Sequence, residues 1–197
     1  MTDKRKKEIE ELTVDLLKEY NLFRVDGGAP IFTKSELENR FNFVFRETAL
    51  SKAVMGAIFQ GKTEVKIVVN SEIENIGRKN FTYAHEMGHY FLLHNLSQRF
   101  CSAENIEGGD KVKDPQEVEA NYFASCFLMP RDYVRWNFYN VMKYYLRISN
   151  PYSPLYVDRW HYGNWKNMCS YFDLKCGVSG TALRFRLQEL KLLDWRL

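Results

Sequence analysis

Apolar residues near the N-terminus recur three or four positions apart, which is the spacing of one stripe on a helix. The stripe comprises Ile9, Leu12, Leu16, Leu17 and Tyr20. This pattern predicts an amphipathic helix over residues 5–20. A second, shorter helix is predicted over residues 34–40.

The period of the pattern changes between residues 41 and 70. Phe41, Phe43 and Phe45 stand at every second position, and the segments AVMGAIFQG and EVKIVVN follow them. These stretches are rich in β-branched and aromatic residues, which favour strands. The residues around Gly61 look like a turn between the last two strands. The sequence therefore predicts a small antiparallel meander.

Helical signals dominate the rest of the chain. One helix is predicted over residues 79–95. Another begins after Asp114, with Pro115 at its first position, and ends near Met129. The tail reads as a helix, a turn at Gly177 and a further helix. The fold class is therefore α+β, with one domain over residues 1–130 and an aromatic-rich helical region over residues 131–197 packed on it.

Composition and charge narrow the class of protein. Apolar residues make up 45% of the chain and charged residues 27%, as in globular proteins. The net charge of +3 is too small to indicate a nucleic-acid binder by itself. The sequence shows no signal peptide, no run that could span a bilayer, and no C-x-x-C pair among its four cysteines. We expect a cytoplasmic protein without a membrane partner.

The segment FTYAHEMGHYFLLH, residues 81–94, holds three of the four histidines. His85 and His89 are four residues apart, which places both on one face of a helix. Glu86 lies next to His85. This H-E-x-x-H arrangement is typical of zinc hydrolases, in which a metal-bound water is activated by the glutamate. The same letters also occur by chance on surface helices, but the apolar flanks here favour a metal site.

A catalytic zinc site needs a third protein ligand. His94 lies five residues after His89 and would point away from the metal face of a continuous helix. Glu117 and Glu119 in the next predicted helix are candidates, and they point to nearly opposite sides. Glu117 has a role in capping that helix, so the pattern favours Glu119.

The choice of Glu119 rests on its apolar neighbours. It shares a stripe with Phe123, Cys126 and Phe127, and a carboxylate on a buried stripe is costly unless it is paired or binds a metal. The alternative is that Glu119 flanks the core and pairs with an arginine.

Weaker signals concern the neighbourhood of the metal. Tyr83 and Tyr90 flank the motif and could stabilise the oxyanion of a transition state, although packing of a helix is the alternative. The segment Gly56, Ala57, Ile58 and Phe59 is a candidate for a sheet edge that holds substrate as an added strand. An ordinary meander strand is the other interpretation.

Four segments together resemble the ImmA/IrrE family of metallopeptidases. They are IVVN, RKNFTYAHEMGHYFLLH, EVEANYFASCFLMP and the tail GVSGTALRFRLQELKLL. The resemblance implies a minimal zincin-like fold with a small, mostly antiparallel sheet beside the motif helix. It implies that His85, His89 and Glu119 bind the metal and that Glu86 is catalytic. It also implies a substrate of the kind the family cleaves in response to stress, a helix-turn-helix transcriptional repressor that is often encoded nearby on a mobile element.

Two functions follow from these observations. The first is a zinc-dependent endopeptidase that cleaves a regulatory protein, with Mn²⁺ as the alternative metal to Zn²⁺. The second is a non-hydrolytic regulator whose zincin domain binds a partner and whose C-terminal helices, through Arg184 and Arg186, contact DNA. Glu86 favours the first, because a site that only binds metal has no need of a general base. DNA binding is not expected to be the primary role.

Overall fold

The computed structural model describes residues 1–23, 30, 34–94, 99–102 and 114–197, with backbone alone for 99–102. In chain order the elements are α1 (Asp3–Glu19), α2 (Lys34–Phe41), β1 (Phe43–Thr48), β2 (Val54–Gln60), β3 (Val65–Asn70), α3 (Ile76–Phe91), β4 (Arg99–Ser102), α4 (Pro115–Leu128), α5 (Arg131–Asn140), a π-helical turn (Val141–Tyr145), β5 (Leu155–Val157), α6 (Tyr162–Cys176), α7 (Gly180–Glu189) and β6 (Leu193–Trp195). The predicted α+β class and zincin-like architecture are confirmed.

The first four strands form one mixed sheet in the order β1-β3-β2-β4. Strand β2 pairs antiparallel with both β3 and β4, whereas β1 pairs parallel with β3. The predicted meander is therefore wrong at one pairing, because β3 lies between β1 and β2. Alternating apolar residues identify a strand and its faces, but they do not specify its neighbour. The inner position of β3 fits its fully buried Ile67 and Val69.

Helix α3 packs on the sheet and on α4. The Asn75 side chain caps α3 by accepting a hydrogen bond from the Arg78 N–H. A Cβ atom at Gly88 would lie 3.2 Å from Cα of Ala120 in α4. Glycine at this position therefore lets the two helices approach closely, immediately beside His89.

The C-terminal part packs against the same core. Strands β5 and β6 pair in parallel to form a second, two-stranded sheet. The predicted turn between two helices is confirmed, since Gly177 has a φ of +58° between α6 and α7. A Cβ atom at Gly77 of α3 would clash with the backbone nitrogen of Ser179, so the tail lies directly on the motif helix. The proposed domain boundary at residue 130 stays a prediction.

Within the ranges that the structure describes, none of the helices is both long and apolar enough to cross a bilayer.

Candidate metal centre

The two motif histidines meet on the buried face of α3. His85 is completely buried and His89 is 1% exposed. Their Nε2 atoms are 3.0 Å apart, as the four-residue spacing predicts. Both rings therefore offer a nitrogen to the same small volume.

Glu117, in the first turn of α4, completes this group. Its Oε2 atom lies 3.2 Å from Nε2 of His85, and its Oε1 atom lies 3.4 Å from Nε2 of His89. One ligand atom from each of the three residues lies within 4.8 Å of the others. The Asp114 side chain caps α4 by accepting from the Gln116 N–H, which fixes the start of the helix next to Glu117.

These separations fit a tetrahedral metal ion. Zinc bonds of about 2.0–2.2 Å to nitrogen and oxygen place neighbouring ligand atoms about 3.3 Å apart. The donor set of two imidazoles and one carboxylate leaves one position of a tetrahedron for water or substrate. His85, His89 and Glu117 could therefore hold a catalytic zinc ion.

The electrostatics of the group also suit a cation. Burial lowers the pKa of His89 to about 4, so this ring is neutral near pH 7, the form that binds metal. Burial by itself would raise the pKa of Glu117. The hydrogen bond with the His85 ring, together with the neighbouring His89 ring, outweighs burial and holds that pKa well below its usual range. Glu117 is therefore an anion beside the two rings.

The structure contradicts the choice of Glu119 as the third ligand. The Glu119 carboxylate accepts a hydrogen bond of 2.6 Å from Arg5 of α1, and its Oε2 atom lies 3.3 Å from Nε2 of His94. The Arg5 hydrogen bond holds the pKa of Glu119 below its usual value. Pairing with an arginine, the alternative interpretation, is what the structure shows.

Each motif histidine also makes a hydrogen bond through its other ring nitrogen. Nδ1 of His85 lies 2.9 Å from Oδ1 of Asn121, and Nδ1 of His89 lies 2.9 Å from Nδ1 of His94. Sequence reasoning did not assign either partner. The position of Asn121, one helical turn after Glu117, was the available signal for the first.

Glu86 is fully buried and lies against β2 at Gly56. A Cβ atom at Gly56 would lie 2.9 Å from Oε1 of Glu86 and 2.7 Å from Cγ2 of Thr82. The absence of a side chain at Gly56 therefore makes room for the glutamate between the helix and the sheet. Neighbouring positions on α3 thus present the two histidines and the glutamate within one buried region.

With this geometry established, comparison with known proteins decides the family. A family model described as the IrrE N-terminal-like domain (Peptidase_M78) matches residues 44–152, more than half of the chain. The chain belongs to this family of metallopeptidases. The matched range of the IrrE-like domain contains His85, Glu86, His89 and Glu117. No curated protein matches the chain significantly.

The two tyrosines beside the motif contact strand β1 of the IrrE-like domain. The Tyr83 hydroxyl donates to Oε1 of Glu47 on β1, and its ring packs edge-on against Phe45. The Tyr90 ring packs edge-on against Phe43. Both side chains therefore contact β1, which favours helix packing over the predicted role as transition-state stabilisers. Their alternative role, helix packing, is the observed one.

The predicted substrate edge in the IrrE-like domain is also misplaced. Gly56, Ala57 and Ile58 of β2 pair with β3 on one side and with β4 on the other. Phe59 pairs with Lys66 of β3. Strand β2 is thus an inner strand, and among the described strands the outermost ones are β1 and β4. The close approach of Glu86, and not a substrate-binding edge, explains the glycine at position 56.

Proposed function

We propose that the protein is a zinc-dependent endopeptidase that cleaves a regulatory protein. The observation that carries the proposal is the convergence of His85, His89 and Glu117 in a chain of a metallopeptidase family. A helix-turn-helix transcriptional repressor is the substrate class that the family resemblance supports. Mn²⁺ remains the alternative metal.

The chemistry divides between the metal and the chain. A bound zinc ion would acidify water and polarise the scissile carbonyl. His85, His89 and Glu117 would hold the ion on the buried side and leave the remaining position open. The anionic Glu117 offsets one of the two positive charges of the cation.

Glu86 is the proposed general base. Its carboxylate would accept a proton from the attacking water and deliver it to the nitrogen of the leaving amine. The Glu86 side chain is completely buried against Gly56, which holds it in one place. Little reorganisation should therefore accompany the proton transfer. The substitution Glu86→Gln removes the carboxylate charge and preserves the size of the side chain.

The substrate is expected to bind in an extended form beside the sheet. Among the described strands, β4 is the outermost strand next to β2, and its Cys101 is paired with Gly56. The outer edge of β4 therefore runs one strand away from the position that contacts Glu86. Main-chain hydrogen bonds along this edge would hold a peptide without strong dependence on its sequence.

The alternative is a regulator whose C-terminal helices contact DNA. One of the two arginines on which it depends is not accessible to DNA. Arg186 is 1% exposed, and it donates to the Met129 carbonyl oxygen at 3.0 Å and to Glu189 at 3.1 Å. A guanidinium committed in this way is not presented to phosphate. The buried Glu86 and the metal group favour the hydrolytic function.

The test compares cleavage and zinc content in three proteins. Wild type, Glu86→Gln and the exposed control Glu74→Gln are incubated with zinc and with a peptide library made from a digested proteome. Mass spectrometry then identifies new termini. Wild type and the control should cut, whereas Glu86→Gln should bind zinc equally and lose at least about 100-fold in rate.

A second arm uses a purified helix-turn-helix repressor, taken from a neighbouring reading frame where one encodes such a protein. Its cleavage by wild type but not by Glu86→Gln would support the repressor class. Cleavage by Glu86→Gln at the wild-type rate in either arm would contradict the proposed function.

A further inference from the structure

We propose that His94 is a positioning residue for the metal centre. Together with Glu119 and Arg5, it holds His89 in the tautomer and orientation that present Nε2 to the ion. The inference rests on the proposed metal site and deepens it. It also gives Glu119 a role different from the metal-ligand role that the sequence analysis predicts.

The four side chains form a continuous series of polar contacts. His89 Nδ1 lies 2.9 Å from His94 Nδ1, and His94 Nε2 lies 3.3 Å from Glu119 Oε2. Glu119 Oε2 lies 2.6 Å from Nη2 of Arg5. His94 is only 8% exposed, so its contacts with the ring and the carboxylate are shielded from solvent.

The order of donors along this series follows from the chemistry of its ends. Glu119, paired with the guanidinium of Arg5, is a carboxylate and only accepts hydrogen bonds. Nε2 of His94 is therefore the donor to it. In the proposed arrangement the His94 ring is neutral and has one donor and one acceptor, so Nδ1 of His94 accepts the hydrogen of His89 Nδ1.

This assignment fixes the metal-binding nitrogen of His89. With the hydrogen on Nδ1, the lone pair is on Nε2, which lies 3.0 Å from Nε2 of His85 and 3.4 Å from Oε1 of Glu117. Metal-binding histidines are usually oriented by such a partner on the other ring nitrogen, and loss of the partner weakens metal binding about 10–100-fold.

A reversal of the chain explains how His94 reaches His89. Helix α3 ends at Phe91, and Leu93 then adopts a left-handed conformation with a φ of +56°. The His94 N–H consequently donates to the His89 carbonyl oxygen at 3.0 Å. On a continuous helix, a residue five positions after His89 would point away from it. This turn instead folds His94 back onto the end of α3.

The series ends on an element outside the matched family domain. Arg5 belongs to α1, whereas the family model begins at residue 44. Helix α1 packs along α4, which carries both Glu117 and Glu119. The N-terminal helix therefore contributes a charge that holds the outer end of the positioning series.

The first experiment measures zinc dissociation constants by competition with a chelator. His94→Phe keeps a planar ring but removes the acceptor, and it should weaken zinc binding about 10–100-fold. In His94→Asn an amide oxygen can accept from Nδ1 of His89, so this variant should recover most of the affinity. The matched control is His161→Phe, since His161 is an exposed histidine bonded to Asp158.

The deciding result of the second experiment comes from the wild type and does not depend on the folding of a variant. Nitrogen NMR of the metal-free wild type, labelled at histidine, reports which ring nitrogen of His89 carries the hydrogen. We expect the hydrogen on Nδ1 in wild type and a mixture of tautomers in His94→Phe. A hydrogen on Nε2 in wild type, or zinc affinity of His94→Phe equal to wild type, would overturn the inference.

The outcomes also separate this inference from the proposed function. If wild type binds zinc and cleaves peptides while His94→Phe binds zinc equally well, only the positioning role fails. If wild type does not bind zinc at all, both fail together.

Discussion

Two buried polar clusters lie along helix α4, and they are neutralised in different ways. The metal group brings Glu117 against the imidazoles of His85 and His89. The second cluster, here called the arginine cluster, consists of Glu10, Tyr122, Arg131, Arg186 and Glu189. In it, Nη1 of Arg186 lies 3.0 Å from Oε1 of Glu10 and 3.1 Å from Oε2 of Glu189.

The difference lies in the source of the positive charge. The arginine cluster contains its own cations, which hold the pKa of Glu10 below its usual value although burial alone would raise it. In the metal group, burial keeps His89 neutral, and the donor atoms converge on a volume that a metal ion would fit. One cluster is a structural device of the fold, and the other is a site for an ion from outside.

The largest expected effect on stability is at Arg186. Arg186→Met removes the cation between two carboxylates that are mostly buried, and this should lower the free energy of unfolding by about 3–5 kcal/mol. Urea unfolding measures the change, and Arg196→Met, at an exposed ion pair, is the control and should differ little from wild type. A stable Arg186→Met variant would remove the distinction between the clusters.

Zinc should stabilise the protein through the metal group alone. At free zinc 100 times its dissociation constant, the free energy of unfolding should rise by about 2.7 kcal/mol. Thermal unfolding with and without zinc measures this gain. It should vanish in Glu117→Gln and persist in a folded variant of the arginine cluster, such as Tyr122→Phe. Equal zinc stabilisation in Glu117→Gln would contradict the proposed ligand set.

A smaller effect is expected at Gly56. Gly56→Ala places a methyl group against Thr82 and Glu86, and such overpacking costs about 1–3 kcal/mol. Because the clash falls on Glu86 and not on the ligands, peptide cleavage should fall while zinc affinity stays unchanged. Gly163→Ala is the matched control, since nothing lies within 4 Å of the added Cβ atom there. Unchanged cleavage in Gly56→Ala would argue against a fixed position for Glu86.

The helical periods were the most informative part of the sequence. The stripe from Ile9 to Tyr20 predicted α1, and the four-residue spacing of His85 and His89 predicted that both rings meet. Strand order was not predictable, because the insertion of β3 between β1 and β2 depends on pairing between distant segments. Apolar alternation within each strand is the same for either order.

The third ligand shows a different limit. Glu117 and Glu119 lie on nearly opposite sides of α4, and the apolar stripe with Phe123 favoured Glu119. That argument requires a helix with one buried face, but α4 is buried on almost all sides, as Ala120, Tyr122, Ala124 and Leu128 show. The apolar pattern therefore contained no information about which side faces α3. The turn at Leu93, which returns His94 to the site, could not be predicted from the five-residue spacing of His89 and His94 either.

The most direct test of the metal group compares Glu117→Gln with Glu119→Gln. Each variant replaces one carboxylate oxygen by an amide nitrogen, and the two positions are only two residues apart. Their zinc dissociation constants can be measured by the same chelator competition. Loss of the ligand in Glu117→Gln should weaken binding by more than about 100-fold, whereas loss of the outer partner in Glu119→Gln should weaken it about 10-fold. A larger loss for Glu119→Gln than for Glu117→Gln would show that the ion is held by a different set of residues.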